Sequence, residues 1–184
     1  MSIDEVIAAQ IYQLRKTKNM SIELLAQQSG VSKAMISKIE RQESSPSATI
    51  LGRLAAGLGV PITQLLSGDQ PPRQRLRRKA DQETWRDPEL RYLRRQVSER
   101  EPVTGLEMIE ITLPAFAKVS YPRWSNHPYQ QRLWLIEGTL HVEYHSERFE
   151  LMAGDCLTFD VGHPVTFHNP EQQECRYLLV ITNE

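Results

Sequence analysis

Residues 21–41, SIELLAQQSGVSKAMISKIER, determine the fold expected for the N-terminal part of this 184-residue chain. The segment predicts two short helices joined by a tight turn at Gly30, because glycine adopts the left-handed backbone conformation at the least cost. Ser32 follows the turn and is a preferred residue type for capping the second helix. Ile36 and Ile39 are spaced to face a common core, so the other side chains of this helix point away from it.

Four side chains of the second helix are left facing solvent. They are small or basic, and they are Lys33, Ala34, Ser37 and Lys38. A short polar helix that is supported by a partner helix presents such residues to the major groove of DNA. The alternative is that the two lysines form only a solvated helix face.

Helical periodicity continues on both sides of this segment, and residues 1–67 are predicted to form five helices. The first is indicated by apolar residues at steps of four, four and three, at Ile3, Ile7, Ile11 and Leu14. Ser47 is predicted to cap the fourth helix, and Pro61 to begin the fifth. Residues 68–72 have the composition of a linker, which makes residues 73–184 a second domain.

In the second domain the periodicity changes to two. Apolar and polar residues alternate over residues 139–144 and again over residues 175–181. Such alternation between turn residues predicts a β-sandwich or a small barrel. Cys156 and Cys175 have no CxxC spacing and are expected to be reduced thiols in strands. The fold class is therefore predicted to be α+β multidomain, with an N-terminal five-helix bundle and a C-terminal β-barrel.

Composition and charge are those of an ordinary globular protein, with 40% hydrophobic and 24% charged residues. The formal net charge of −1 is unevenly distributed, with +2 over residues 1–68, +3 over 69–102 and −6 over 103–184. DNA would meet the first half favourably, with weak and salt-dependent non-specific affinity. The chain has no membrane-length apolar run and no signal-peptide pattern, so we expect a cytoplasmic protein with no membrane contact.

The five predicted helices span residues 3–66, and they carry at residues 13–66 the pattern QLRKTKNMSIELLAQQSGVSKAMISKIERQESSPSATILGRLAAGLGVPITQLL. It resembles the lambda-repressor-like, XRE-type helix-turn-helix family, in which the third helix reads bases and the second lies on the DNA backbone. The resemblance implies DNA contacts by Ser21, Ser32, Lys33, Ala34, Ser37, Lys38, Arg41 and Ser44. It also implies a structural ion pair between Arg15 and Glu40.

Two segments of the second domain resemble the two motifs of a cupin barrel, HPYQQRLWLIEGTLHV at residues 127–142 and GDCLTFDVGHPVTFHN at 154–169. Metal-binding cupins supply three histidines and a glutamate from these motifs. Gln131 stands at the glutamate position and Val165 at the second-motif histidine position, which leaves His127 as one plausible ligand. The resemblance therefore implies no metal, no cofactor and no catalytic residue. The alternative is a rearranged metal site at His127 and His163.

The inner face of the predicted barrel has the mixture of apolar and polar residues that is usual in small-molecule sites. The candidates for holding a polar group are His127, Gln131 and Arg132. The candidates for holding an apolar group are Leu133, Val165 and Phe167, for which plain barrel core is the alternative. Strand alternation places Arg132 on the opposite face of the strand from Gln131, so Arg132 is the weaker candidate for ligand binding.

These observations predict a one-component transcriptional regulator and not an enzyme. We expect a homodimer that binds an operator in double-stranded DNA and whose cupin domain binds a small-molecule effector, such as an amino acid or a related metabolite. The alternatives are a metal-dependent cupin enzyme fused to a DNA-binding domain, and an antitoxin-like interaction protein. The basic run Arg73–Lys79 has two interpretations, contact with DNA phosphates or a charged edge strand that discourages aggregation.

Overall fold

The computed structural model describes residues 2–66, 75–124 and 129–183. The chain forms two compact units, Met1–Pro71 and Pro72–Glu184. The predicted linker, residues 68–72, lies outside the described residues, so the exact domain boundaries stay a prediction.

The first unit consists of five helices, as the sequence predicts. They are α1 (Ile3–Thr17), α2 (Ile22–Ser29), α3 (Lys33–Glu40), α4 (Ala48–Leu58) and α5 (Ile62–Leu66). One side of each helix is buried, and the core consists mainly of Ile7, Ile11, Leu25, Ile36, Ile39, Leu51, Leu54, Leu58 and Leu65. In the part of the chain that the structure describes, no helix is long and apolar enough to span a membrane.

The turn between α2 and α3 has the predicted conformation. Gly30 ends α2 with a φ of +67°, and its N–H donates to the Ala26 carbonyl at 2.9 Å. Ser32 is the N-cap of α3, and its Oγ accepts the Met35 backbone N–H at 3.2 Å. The prediction for Ser47 is half right. It is the N-cap residue of α4, but its side chain is buried and makes no capping hydrogen bond.

The second unit consists of two antiparallel sheets. Its strands are β1 (Thr84–Arg86), β2 (Leu93–Gln96), β3 (Glu107–Leu113), β4 (Lys118–Tyr121), β5 (Tyr129–Glu137), β6 (Thr139–Tyr144), β7 (Glu147–Met152), β8 (Cys156–Asp160), β9 (Val165–His168) and β10 (Cys175–Asn183). One sheet has the order β1-β2-β3-β10-β5-β8 and the other β4-β9-β6-β7. Burial alternates along β3 and β10, so alternate side chains form an inner face. The predicted α+β architecture is confirmed.

Both cysteines are free and lie in strands, as predicted. Burial raises the pKa of Cys175 to about 12, which keeps this thiol protonated at neutral pH. Gly138 joins β5 to β6 with a φ of +85°. A Cβ added at Gly138 would lie 2.8 Å from the Cys175 Cβ, so both the backbone angle and the close packing require glycine at this turn.

The described part of the basic run forms no strand. Residues 75–78 are irregular, and Lys79–Asp81 forms a 3₁₀ turn. The Arg77 guanidinium donates to the Gln96 carbonyl at 3.1 Å and pairs with Glu83. The edge-strand interpretation is therefore wrong for these residues, because the segment is held by side-chain bonds and not by strand pairing. The first two residues of the run lie outside the described residues.

Candidate nucleic-acid interface and barrel interior

The outer surface of α3 carries the residues predicted to read DNA. Burial of Ile36 and Ile39 fixes the rotation of this helix on the core. The predicted residues are exposed or, in the case of Ser37, half-buried, and they are Ser32, Lys33, Ala34, Ser37 and Lys38. The N-terminal end of α3 is therefore accessible to solvent.

A groove of about 590 Å³ adjoins this surface. Its lining comes from α1, the loop before α2, and the first turns of α2 and α3, namely Arg15, Lys16, Met20, Ser21, Ile22, Glu23, Lys33, Ala34 and Ser37. Ser21 caps α2 here, because its Oγ accepts the Leu24 N–H at 3.1 Å. A helix N-terminus attracts phosphate groups in general, and this groove brings the capped N-terminus of α2 next to three of the four predicted base-reading residues, Lys33, Ala34 and Ser37.

Lys33 has an anionic partner in this groove. Its Nζ lies 3.4 Å from Oε1 of Glu23, and both side chains are more than 60% exposed. Hydrogen bonds from the Glu23 backbone N–H and from Lys33 lower the pKa of Glu23. An exposed pair of this kind contributes little to stability, so Lys33 can exchange Glu23 for a DNA group at little cost.

The predicted phosphate-contacting loop follows α3 directly. Arg41 is exposed and donates to a carboxylate oxygen of Glu43 at 3.0 Å. Ser44 is half-buried, with its Oγ 3.9 Å from the Met35 sulfur. Arg41 and Ser44 therefore lie in the same unit as α3 and next to its C-terminal end.

The predicted ion pair between α1 and α3 is confirmed. Arg15 Nε and Nη2 each donate to one oxygen of Glu40 at 2.7 Å, and Arg15 Nη1 donates to the Met20 carbonyl at 3.0 Å. The hydrogen bonds to Glu40 raise the pKa of Arg15. Because both side chains are almost fully buried, the pair positions α3 on α1 and is not available to DNA.

Four of the six predicted ligand-binding residues share the interior of the second unit. Gln131 and Leu133 are buried on β5, and Val165 and Phe167 are buried on β9 of the other sheet. The Phe167 ring stacks on Tyr177 of β10 at 5.8 Å, which places it between the sheets.

The other two predicted ligand-binding residues are not in this set. Arg132 is exposed on the outer face of β5, as strand parity predicts, so its inclusion is not supported by its position. His127 lies outside the described residues.

No metal-binding group is brought together in the described ranges, where no cluster of three or more His, Cys, Asp or Glu side chains suits a metal ion. His163 is exposed, and its ring lies 4.2 Å from that of His145. The rearranged site at His127 and His163 depends on a residue outside the described ranges and stays a prediction.

Sequence reasoning missed several ionisable side chains in the interior. Arg94, on β2, is only 6% exposed. Burial raises the pKa of Tyr92 and Tyr121, whose hydroxyl oxygens lie 3.4 Å apart. Glu107 is fully buried and accepts from Arg100 Nη1 at 3.2 Å. The strand that carries Arg94 is short and polar, so hydropathy gave no signal for its burial.

Comparison with protein families agrees with both units. The helix-turn-helix family matches residues 11–65, and the cupin domain family matches residues 116–181. An HTH-type transcriptional regulator of Escherichia coli, SutR, is 42% identical over 64 residues, which cover 35% of this chain and 36% of SutR. SlrR of Bacillus subtilis, also an HTH-type transcriptional regulator, is 38% identical over 73 residues, which cover 39% of this chain and 47% of SlrR. The chain thus spans less than half the length of either relative.

Solved structures extend the likeness to the whole chain. An HTH_3 family transcriptional regulator from Vibrio cholerae is 26% identical, with a TM-score of 0.82 over 99% of this chain and 97% of that one. Hydroxypropylphosphonic acid epoxidase from S. wedmorenis is 17% identical, with a TM-score of 0.50 over 98% of each chain, and shows a shared fold alone. The chain therefore contains an XRE-type helix-turn-helix domain followed by a cupin domain, as its sequence motifs predicted.

Proposed function

We propose that this chain is a sequence-specific DNA-binding transcriptional regulator. The observation that carries the proposal is the groove in which the capped N-terminus of α2 adjoins the exposed N-terminal side chains of α3. The relatives in Escherichia coli and Bacillus subtilis are both named HTH-type transcriptional regulators, which supports the same role.

The side chains of α3 have chemistry suited to base edges. Lys33 and Lys38 match the guanine O6 and N7 acceptors or a phosphate, and the Ala34 methyl group matches the thymine methyl group. The remaining predicted residues would contact phosphates or base edges, and they are Ser21, Ser32, Ser37, Arg41 and Ser44. Since residues 1–68 carry a net charge of only +2, specific binding must come from the geometry of these contacts.

We further propose that the chain acts as a homodimer. Each α3 helix would read one half-site of a near-palindromic operator, with half-site centres about 34 Å apart. The cupin unit would bind the small-molecule effector against Gln131, Leu133, Val165 and Phe167. Effector binding changes DNA affinity only if the effector prefers one arrangement of the dimer over the other.

DNA recognition can be tested by selecting sequences from a random DNA library with the full-length protein. The double variant Lys33→Ala/Lys38→Ala should lose about 1–3 kcal/mol of specific binding energy for each residue that reads a base. Lys118→Ala is the matched control, because Lys118 is an exposed lysine of the other unit, 3.6 Å from Glu143. Specific affinity that is unchanged in the double variant would refute the assignment of α3 as the reading helix.

We also propose that the chain has no catalytic activity of its own. At two positions where metal-binding cupins carry ligands, the interior holds Gln131 and Val165, and neither replaces a carboxylate or an imidazole. Metal analysis of the purified protein tests this. A stoichiometric metal that is lost on substituting His127 would support the metal-dependent enzyme instead.

A further inference from the structure

Arg94 is a cation in the interior of the cupin unit. It lies on β2 opposite Ile111 of β3, in a register row that continues to Tyr177 of β10 and Leu135 of β5. The other three residues of this row are buried. Residues directly opposite one another in antiparallel strands point to the same side of the sheet, so Arg94 points to its inner face.

No carboxylate forms a direct ion pair with Arg94 in the described part of the unit. No described carboxylate oxygen lies within 4.0 Å of its guanidinium, and its Nε has no hydrogen-bond partner among these residues. Other arginines with little exposure are each paired with a glutamate, namely Arg15 with Glu40, Arg95 with Glu110 and Arg100 with Glu107. Arg94 therefore differs from the arginines that hold the fold together.

Phenols form most of the surroundings of Arg94, and the Tyr92 hydroxyl is hydrogen-bonded to it. The buried Asp87 carboxylate also acts on Tyr92, but it accepts hydrogen bonds from backbone N–H groups of its own turn and forms no ion pair with Arg94. Burial raises the pKa of four tyrosines, and the positive charge of Arg94 opposes that rise in Tyr92, Tyr121, Tyr129 and Tyr177. All four stay protonated at neutral pH and carry no negative charge. An unpaired guanidinium in such surroundings is unfavourable until an anion from outside pairs with it.

A second buried donor lies in the same region. The indole Nε1 of Trp124 is buried and has no hydrogen-bond partner among the described residues. The Trp124 ring contacts the Tyr129 ring edge-on, with centroids 4.6 Å apart. Trp124 follows Tyr121 by three residues, and the Tyr121 hydroxyl lies 3.4 Å from the hydroxyl of Tyr92, two residues before Arg94. Buried donors are nearly always bonded in folded proteins, so two of them indicate a missing acceptor.

We propose that the interior of the cupin unit binds a small monocarboxylate, whose carboxylate group pairs with Arg94 and accepts a hydrogen bond from the Trp124 indole. The planar guanidinium matches two carboxylate oxygens. A phosphate dianion fits less well, because one guanidinium neutralises only one of its two negative charges. The apolar part of the ligand lies against Leu133 and Phe167. The inference rests on the proposed effector function and names the chemical class of the effector.

The test is thermal unfolding of the full-length protein, followed by tryptophan emission in Tris chloride buffer. The probes are the L-amino acids, short 2-oxo acids and short fatty acids, each beside its amide, together with inorganic phosphate. At least one carboxylate should raise the unfolding temperature saturably, and its amide should not. In Arg94→Met the affinity for that carboxylate should fall roughly a hundredfold, because bonds to a charged group are lost.

Two further variants complete the design. Arg95→Met is the matched control, because Arg95 is the next residue on β2 and pairs with Glu110 away from Arg94. It should bind the carboxylate with unchanged affinity. Trp124→Phe keeps an aromatic ring but removes the indole N–H, and it should weaken binding several-fold. Arg94→Met should fold at least as stably as the parent without ligand. A variant that fails to fold would contradict the absence of a partner.

The proposal is overturned if no carboxylate raises the unfolding temperature, if the amide binds equally well, or if Arg94→Met binds with parent affinity. Stabilisation by phosphate alone would also overturn it, in favour of a different anion. Specific DNA binding is measured on the same preparations, so that failure of the carboxylate assignment can be distinguished from failure of the effector function. If a neutral compound or a metal alters DNA affinity and no carboxylate does, the effector function stands and the carboxylate assignment fails.

Discussion

Removal of the Glu40 carboxylate tests how the proposed reading helix is held in place. The Arg15 guanidinium contacts both Glu40 oxygens at 2.7 Å, and the two side chains are 6% and 8% exposed. Glu40→Ala therefore leaves an unpaired guanidinium buried between α1 and α3. Among the described residues, the hydrogen bond that Arg15 keeps is from its Nη1 to the Met20 carbonyl, at 3.0 Å.

The expected loss is large for a unit of this size. Removing one partner of a buried ion pair lowers the free energy of unfolding by about 3–5 kcal/mol. Because Arg15 keeps its hydrogen bond to Met20, we expect a loss near the lower limit, about 3 kcal/mol. A helical unit of roughly 65 residues has a total stability of about 3–10 kcal/mol at typical values per residue. Glu40→Ala should therefore leave the first unit marginally stable or unfolded and abolish specific DNA binding as a consequence.

The unfolding of each unit can be measured separately, because the tryptophans and the α-helices lie in different units. All three tryptophans of the chain, Trp85, Trp124 and Trp134, belong to the second unit. The described α-helices all belong to the first unit. In urea titrations, helical circular dichroism should show the loss of stability in Glu40→Ala, and tryptophan emission should report the second unit.

Two controls make the result interpretable. Glu43→Ala removes a carboxylate that pairs with Arg41 at 3.0 Å, but these side chains are 50% and 61% exposed, so the loss should stay below about 1 kcal/mol. Arg15→Met/Glu40→Leu replaces the buried pair with apolar groups and should recover most of the stability. The reasoning is refuted if Glu40→Ala costs no more than Glu43→Ala, or if the double variant is no more stable than the single one.

Two further predictions concern single positions. Gly30→Ala should destabilise the first unit by about 1–2 kcal/mol in urea unfolding, because no atom lies within 4 Å of an added Cβ and only the left-handed φ of +67° is penalised; an Ala variant as stable as the parent would contradict this. The Tyr144 hydroxyl donates to Asp160 at 2.6 Å, and this hydrogen bond lowers the pKa of Asp160. The Asp160 carboxylate therefore stabilises the second unit at pH values above its unfolded pKa of about 3.9. This stabilisation is lost as the pH falls through the lower pKa of the folded state. Asp160→Asn should therefore be less stable at neutral pH and show a flatter acid limb in tryptophan-monitored unfolding, and an unchanged limb would count against this account.

The helical unit could be predicted from sequence almost completely, because its signals are local. Gly30 and Ser32 mark the end of one helix and the start of the next within three residues, and the structure confirms both. Ser47 shows the limit of this reasoning. Its residue type predicts a capping side chain, but tertiary packing buries that side chain, and no capping bond forms.

The barrel interior could be predicted only where strands are long enough to alternate. Gln131 and Leu133 lie on the nine-residue strand β5, and their inward position followed from parity. Arg94 lies on β2, which has four residues, two of them arginines and one glutamine. Its burial depends on the register of β2 against β3, and this pairing is set by tertiary contacts that a single sequence does not display.

Whether a basic side chain already has an anionic partner in the free protein distinguishes a structural role from a proposed binding role in this chain. Arg15 is buried and has both glutamate oxygens and a carbonyl as partners, so it contributes to stability and has no capacity left for a ligand. Lys33 has a single exposed partner that it can exchange. Arg94 is as buried as Arg15, yet it forms no ion pair with a described carboxylate, and its Nε has no hydrogen-bond partner among the described residues. A fold retains an unpaired buried charge at a cost, and the ligand that offsets this cost gains affinity from the same interaction. On this reasoning Lys33 belongs to the proposed DNA-binding site and Arg94 to the proposed ligand-binding site.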